Sequence, residues 1–353
     1  MRSFSRRVSA LVIAPLVLLS GCIAGTPEPT SSPEPSAPAS PTPPPTPEAD
    51  VVDEEVSVGA HELPGTLTQP SGEAEPVAVV LLWGSGPHDR DSTIGTAGNA
   101  ILRDLAHGLA DHGISSLRFD KRTFAAQGSY DPATFTVDDE YLDDAASALD
   151  LLASHPDLDG HLLFVVGHSQ GGMVLPEVLA RNPEAAGGIS LAGSPRSLFD
   201  IIVDQQADAL AASGITEEQQ AAQLDLVREA MDEAKALDDP EGEVPVTLRQ
   251  SMGAPYVVSL NRLDPVGTAQ ALEVPLLFLH GEADQQVYLE ADFRAWEAAL
   301  EGEDDVEFRS YPGLTHFFRE SQGGSALDDM NEPATVDEQM IEDMANWLLA
   351  PRG

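Results

Sequence analysis

The sequence predicts an α/β fold, a mostly parallel central sheet with helices on both faces. From Val77 onward, short apolar runs alternate with amphipathic stretches whose apolar residues recur at spacings of three and four. A glycine-flanked serine, Gly167-His168-Ser169-Gln170-Gly171, follows directly on the apolar run Leu162 to Val166, as at a forced strand-to-helix turn. With 42% hydrophobic residues among 353, the chain can bury one large core.

The N-terminal residues stand apart from that core. Arg2, Arg6 and Arg7 precede the apolar stretch Val8 to Leu19, which is too short to span a bilayer and is followed by Leu19-Ser20-Gly21-Cys22. Residues 1–21 therefore read as a secretory signal, and its end resembles the lipobox of bacterial lipoproteins. Cys22 is the only cysteine, so a disulfide framework is excluded and lipidation is its expected role. Two acyl chains on Cys22 would hold the protein on a membrane, outside the cytoplasm, without spanning it. Residues 22–50 are dominated by Pro, Ser, Thr, Ala and Glu, a composition that buries too little apolar area to fold and reads as a solvated tether.

Residues 51–353 form the expected catalytic domain. Val56 to Thr68, with Pro64-Gly65 inside it, reads as a leading antiparallel strand pair; further strands are expected near 77–83, 114–119, 162–167, 187–192, 275–280 and 305–310. Helices are expected over 98–112, 137–154, 171–181, 288–300 and 335–349. One segment breaks the alternation: from about Arg196 to Val266 the pattern is helical, rich in Ala, Gln, Asp and Glu, with no strong strand. An insertion there, at the carboxyl edge of such a sheet, is expected to cap the site and select what enters.

A serine hydroxyl is a poor nucleophile near neutral pH and needs a histidine to take its proton and a carboxylate to orient that histidine. With the serine placed on a strand-to-helix elbow, the partners should follow in the order acid, then histidine. Only His280 and His316 lie downstream. His280 ends an apolar strand, where a ring would buttress the next loop; His316, in Tyr311-Pro312-Gly313-Leu314-Thr315-His316, sits between the last strand and the last long helix, as a catalytic base should. The preceding loop, Gly281-Glu282-Ala283-Asp284-Gln285-Gln286-Val287, offers Glu282 and Asp284. Backbone N–H donors for an oxyanion are expected from Gln170, after the nucleophile, and from Ser85 in Trp83-Gly84-Ser85-Gly86-Pro87.

Taken with this elbow, Gly84-Ser85-Gly86-Pro87-His88-Asp89-Arg90-Asp91, Arg103-Asp104-Leu105-Ala106 and Leu117-Arg118-Phe119-Asp120-Lys121-Arg122 resemble bacterial α/β-hydrolases of the esterase and dienelactone-hydrolase-related group. The resemblance runs from about 60 to 350. It implies the α/β-hydrolase fold and a carboxylic ester hydrolase with the triad Ser169, Asp284 and His316. Two positions depart from that group: Trp83 stands where His is frequent, and Thr123 where Gly is usual. The bulk of Trp83 is expected to narrow the acyl site. Asp89, Arg90 and Asp91 are expected to form a local salt-bridged loop, with Arg118 and Arg122 anchoring loops beneath the site. His88, His107, His112, His155 and His161 are expected at the surface or at helix ends.

The net charge of −41, from 18 basic and 59 acidic residues, argues against nucleic acid as a partner. No metal motif, cysteine cluster or lysine-bearing phosphate loop is present, so neither metal nor cofactor is implied. The expected substrate is a small ester or acyl compound. Peptidase or acyltransferase chemistry would use the same residues, and a surface-displayed binding protein would have lost it.

Overall fold

The computed structural model describes residues 51–125 and 130–351. Cys22, the expected signal segment and the expected tether lie outside them.

The leading pair, β1 (Val51–Val58) and β2 (Leu63–Pro70), is antiparallel and longer at both ends than expected. β1 is the sheet edge, and its exposed Asp53, Glu54 and Glu55 hide its strand character while discouraging further pairing. β3 (Val77–Leu82) is buried along its whole length, as a central parallel strand covered on both faces should be. A small unforeseen ribbon, β4 (Thr93–Ile94) and β5 (Asn99–Ala100), leads into α1 (Ile101–Asp111), whose buried Ile101, Leu102, Leu105, Ala106 and Leu109 face the sheet. Next come β6 (Ser115–Phe119) and a single turn, α2 (Arg122–Ala125). A π-helical turn, Asp138–Leu142, then opens α3 (Asp143–Ser154).

β7 (Leu162–His168) runs into α4 (Gln170–Arg181), and β8 (Gly188–Leu191) follows. The expected insertion is four helices: α5 (Leu198–Ala212), α6 (Glu217–Lys235), α7 (Ala254–Asn261) and α8 (Pro265–Ala271). It extends beyond Val266 because Asp264 caps α8, its side chain accepting from Gly267 N. After β9 (Leu276–Gly281) a second π-helical turn, Leu289–Phe293, opens α9 (Arg294–Ala299). β10 (Val306–Tyr311), α10 (Ala326–Asn331) and α11 (Glu338–Leu348) complete the described chain.

The eight strands lie in the order β1-β2-β6-β3-β7-β8-β9-β10, with the six from β6 to β10 parallel. After β3 the chain steps outward to β6 and then returns to β7 on the other side of β3. The carboxyl ends of β3 and β7 therefore border the point where the winding reverses, which is where open α/β sheets form their clefts. Of the inserted helices, α5 borders the cleft at this end. Their first residues are tied down by Asp292, fully buried in the second π-turn. It accepts from Ser194 Oγ at 2.5 Å and takes Arg196 through both oxygens, at 2.7 and 3.0 Å.

Candidate active site

Ser169 sits between β7 and α4 with φ 56° and ψ −116°, a conformation that costs an L-residue energy and that the surroundings must enforce. The two flanking glycines show how. A Cβ on Gly167 would lie 2.2 Å from Gly171 O, and one on Gly171 would lie 2.6 Å from Trp83 O, so the turn closes only where side chains are absent. Gly84 also leaves room, since a Cβ there would come within 3.2 Å of Ser169 Cβ. The serine is thereby raised above the sheet at the mouth of a cleft.

The expected acid and base come from the ends of the last two strands. Asp284 follows β9 and His316 follows β10; both are buried, and His316 Nδ1 lies 2.7 Å from Asp284 Oδ2. The other carboxylate oxygen accepts from Gln286 N at 2.7 Å and Val287 N at 2.9 Å. Burial alone would raise the pKa of Asp284, but the facing imidazole and these N–H groups outweigh it and hold the carboxyl below its usual range. A carboxylate only accepts, so the His316 ring carries its proton on Nδ1 and leaves Nε2 free to take another. Glu282, the other carboxylate in the loop, is exposed and accepts from Ser310 Oγ at 2.8 Å, away from His316.

His168 joins the base to the elbow. Its Nε2 donates to His316 O at 2.9 Å, and the two rings lie 4.8 Å apart. Ser169 Oγ makes no hydrogen bond to a described side chain; such bonds are commonly loose before substrate closes the site. Ser85, after β3, lines the cleft with Ser169 and Gln170. As the first residue of α4, Gln170 has a backbone N–H with no preceding turn to accept it.

The cleft and the solvent at its mouth together make up about 480 Å³. Leu198, Ile201 and Ile202 of α5 line it together with Met173 and Val287, beside the neutral polar Ser194, Gln205 and Gln286, and no charged side chain does. Gln205 Nε2 donates to Gln286 O at 3.1 Å, and Tyr288 hydroxyl to Asp208 at 2.6 Å, so α5 is held across the acid loop. Among the described residues no group of three or more His, Cys, Asp or Glu could hold a metal ion.

Several expectations need correcting. Trp83 does not narrow the cleft: its ring is fully buried against Phe119, with Nε1 donating to Phe119 O at 2.7 Å. Arg90 and Asp91 do not pair within their loop. Arg90 reaches Asp120 and Glu55, and Asp91 accepts from Arg118, because the loop is stitched to strand ends. Arg122 holds Asp144 through two nitrogens. His88 is no surface residue; it is buried, its Nε2 donating to Ser85 O at 2.8 Å while Ser92 Oγ lies 3.1 Å from Nδ1. His280, expected to buttress the loop after its strand, is wholly buried and stacks on Phe293 at 5.2 Å. Lys121, one of only two lysines in the chain, is 1% exposed, with Nζ 2.9 Å from Gly84 O. The scarcity of lysine, and its position just past a strand end, were the available signals.

Burial, reinforced by Lys121, pushes His88 down to about 4; burial, reinforced by His316, pushes His168 down to about 3. The unfolded chain binds these protons near the ordinary histidine value, so the stabilisation is complete above about pH 6.5 and is lost as pH falls toward 4 and 3. For His88 this is on the order of 3 kcal/mol. His88→Gln retains a donor for Ser85 O but does not titrate, so its melting temperature should fall less steeply than the parent's between pH 6.5 and 4. Equal slopes in scanning calorimetry would refute the neutral, buried state of His88.

Among known proteins, Esterase EstD of Thermotoga maritima is 32% identical over 298 residues, covering 84% of this chain and 68% of that protein. Among solved structures, Est1E of Butyrivibrio proteoclasticus with ferulic acid bound superposes with a TM-score of 0.52 at 15% identity, covering 83% of this chain and 99% of that one. A 2,6-dihydroxy-pseudo-oxynicotine hydrolase gives 0.51 at 16% identity, covering 84% and 67%. At those identities the structural likeness is one of fold. No established family profile matches the chain.

Proposed function

Because this chain belongs to the esterase family that includes Esterase EstD, and is a carboxylic ester hydrolase of the α/β-hydrolase fold, we propose that it works through Ser169, His316 and Asp284 by way of an acyl-enzyme. The observation that carries this reading is the buried 2.7 Å pair of His316 and Asp284, tied through His168 to the elbow that lifts Ser169.

Ser169 Oγ attacks the ester carbonyl while His316 Nε2 takes its proton. The negative charge that forms on the carbonyl oxygen is held by the N–H groups of Ser85 and Gln170. The tetrahedral adduct collapses by breaking the bond to the alkoxy oxygen, which leaves as an alcohol with the proton from His316. Water, deprotonated by the same imidazole, then attacks the acyl-serine; collapse returns the proton to Ser169 and releases the acid. Asp284 keeps the imidazole in its Nδ1–H tautomer and offsets its charge in both halves.

The substrate class follows from the cleft walls. Aliphatic side chains without a charged partner suit a neutral ester with a short apolar acyl group, and offer no carboxylate to hold the free amine of an aminoacyl substrate. The test combines a fluorophosphonate probe with a series of p-nitrophenyl esters. Labelling should map to Ser169, and kcat/KM should peak at short acyl chains and fall about tenfold or more for long ones. Labelling elsewhere, or faster turnover of aminoacyl amides than of esters, would overturn the reading.

A further inference from the structure

Beneath the cleft floor lies a buried polar cluster that the proposed chemistry leaves unused. Lys121 Nζ donates to Gly84 O at 2.9 Å and to Tyr141 Oη at 2.7 Å, and stands 3.5 Å from Glu140 Oε2. Those three acceptors match the three N–H groups of an ammonium. Tyr141 in turn donates its hydroxyl proton to the same Gly84 O at 2.8 Å. Glu140 also accepts from Tyr256 Oη at 2.5 Å and from Thr123 Oγ1 at 2.8 Å, and Gln170 Nε2 donates to Tyr256 Oη at 3.2 Å. The π-helical turn Asp138–Leu142 aims the adjacent residues Glu140 and Tyr141 inward together, both buried.

The carbonyl that receives both donors is not an arbitrary one. Gly84 C=O and Ser85 N–H belong to a single peptide unit, and the described chain contains no cis bond, so the two point to opposite sides of that plane. Two donors on the carbonyl fix the plane from below. They also draw electron density toward the oxygen, which makes the N–H on the far side a stronger donor. His88 pins the next carbonyl, Ser85 O, so the peptides on both sides of the Ser85 Cα are held.

We infer that Lys121 and Tyr141 are positioning residues for the oxyanion site, orienting and polarising the Gly84–Ser85 peptide so that its N–H meets the negative charge formed at the substrate carbonyl. Glu140 completes the device by balancing the ammonium and linking it, through Tyr256, to Gln170, which bears the second N–H. The cluster touches no substrate atom. It acts in the transition state more than in the ground state, because a neutral ester carbonyl gains far less from a polarised N–H than an oxyanion does. This inference rests on Ser85 N–H being an oxyanion donor.

Lys121→Met keeps most of the buried volume and removes the charge; Tyr141→Phe removes one donor and leaves the ring in place. Deleting a direct oxyanion donor costs about 10²–10³ in kcat, so loss of support behind one should cost less: about 10–100-fold for Lys121→Met and about 3–10-fold for Tyr141→Phe, with KM within about twofold of the parent. A trifluoromethyl ketone, which forms a charged tetrahedral adduct with the serine, should weaken by the same factors. Those parallel losses are the signature of oxyanion support, and a purely structural role would not produce them at constant KM. Unchanged kcat in both variants, or reduced kcat with undiminished inhibitor affinity, would overturn the inference. If Lys121→Met does not fold, Tyr141→Phe decides by the same two measurements. Ser169→Ala serves as the control. Activity surviving in it would sink the triad itself, whereas loss there beside fully active Lys121→Met and Tyr141→Phe would sink the positioning role alone.

Discussion

Ser169→Ala should lower kcat/KM toward a short p-nitrophenyl ester by about 10⁴-fold or more while leaving the melting temperature within a few degrees of the parent. The separation of the two effects follows from the elbow. The φ of 56° is strained for any residue with a Cβ, and alanine retains the Cβ, so the variant carries the same backbone cost. What disappears is the oxygen that must become bonded to the acyl group. Asp284→Asn should reach a comparable loss by another route. An amide can present an N–H to His316 Nδ1, which places the ring proton on Nε2 and removes the acceptor Ser169 requires. Steady-state kinetics on both variants, with calorimetry as the folding control, would check this, and a residual rate within tenfold of the parent for Ser169→Ala would refute the assignment.

Gly167→Ala should damage both stability and turnover. The added Cβ would meet Gly171 O at 2.2 Å, Gly171 C at 2.4 Å and Gly172 N at 2.7 Å, all backbone atoms held at the start of α4. No rotamer change can relieve that overlap, so the β7–α4 turn must open. The expected cost is roughly 3 kcal/mol or more, a fall of about 5 °C or more in melting temperature for a domain of this size. Displacing Ser169 by even an ångström from His316 should also cost about 100-fold in kcat. A variant with parental melting temperature and kcat would show that the turn is compliant and that the glycine is not required by contact.

The parts of this site legible in the sequence were those encoded locally. The elbow announced itself because glycines two residues either side of Ser169 have a steric reason at each position. His316 was legible because only two histidines lie downstream and only one stands in a loop after the last strand. The four-helix insertion was visible as a break in the strand–helix alternation. Asp284 and Glu282 could not be separated by the residues alone, since both are carboxylates in one loop; direction decides, Asp284 turning to His316 and Glu282 to Ser310. Trp83 was misjudged for the same reason: composition places its bulk near the cleft, while the pleat turns it into the core. Lys121, Glu140, Tyr141 and Tyr256 were missed because a buried ion pair looks in sequence like ordinary surface charge, and its members come from three separate segments. The lipidation expected at Cys22 rests on sequence alone.

The bond from His168 to the carbonyl of His316 joins positions 148 residues apart. Its consequence is one of timing. During synthesis Ser169, its elbow and the Ser85 and Gln170 amides exist long before His316 is made, and the last parallel strand must dock before that histidine can be placed. Non-local strand pairing is the slow part of folding. On the proposed mechanism a half-made or half-folded chain would expose a serine no more reactive than any surface serine, and hydrolysis would begin only when the whole sheet is assembled. Activity would then report completion.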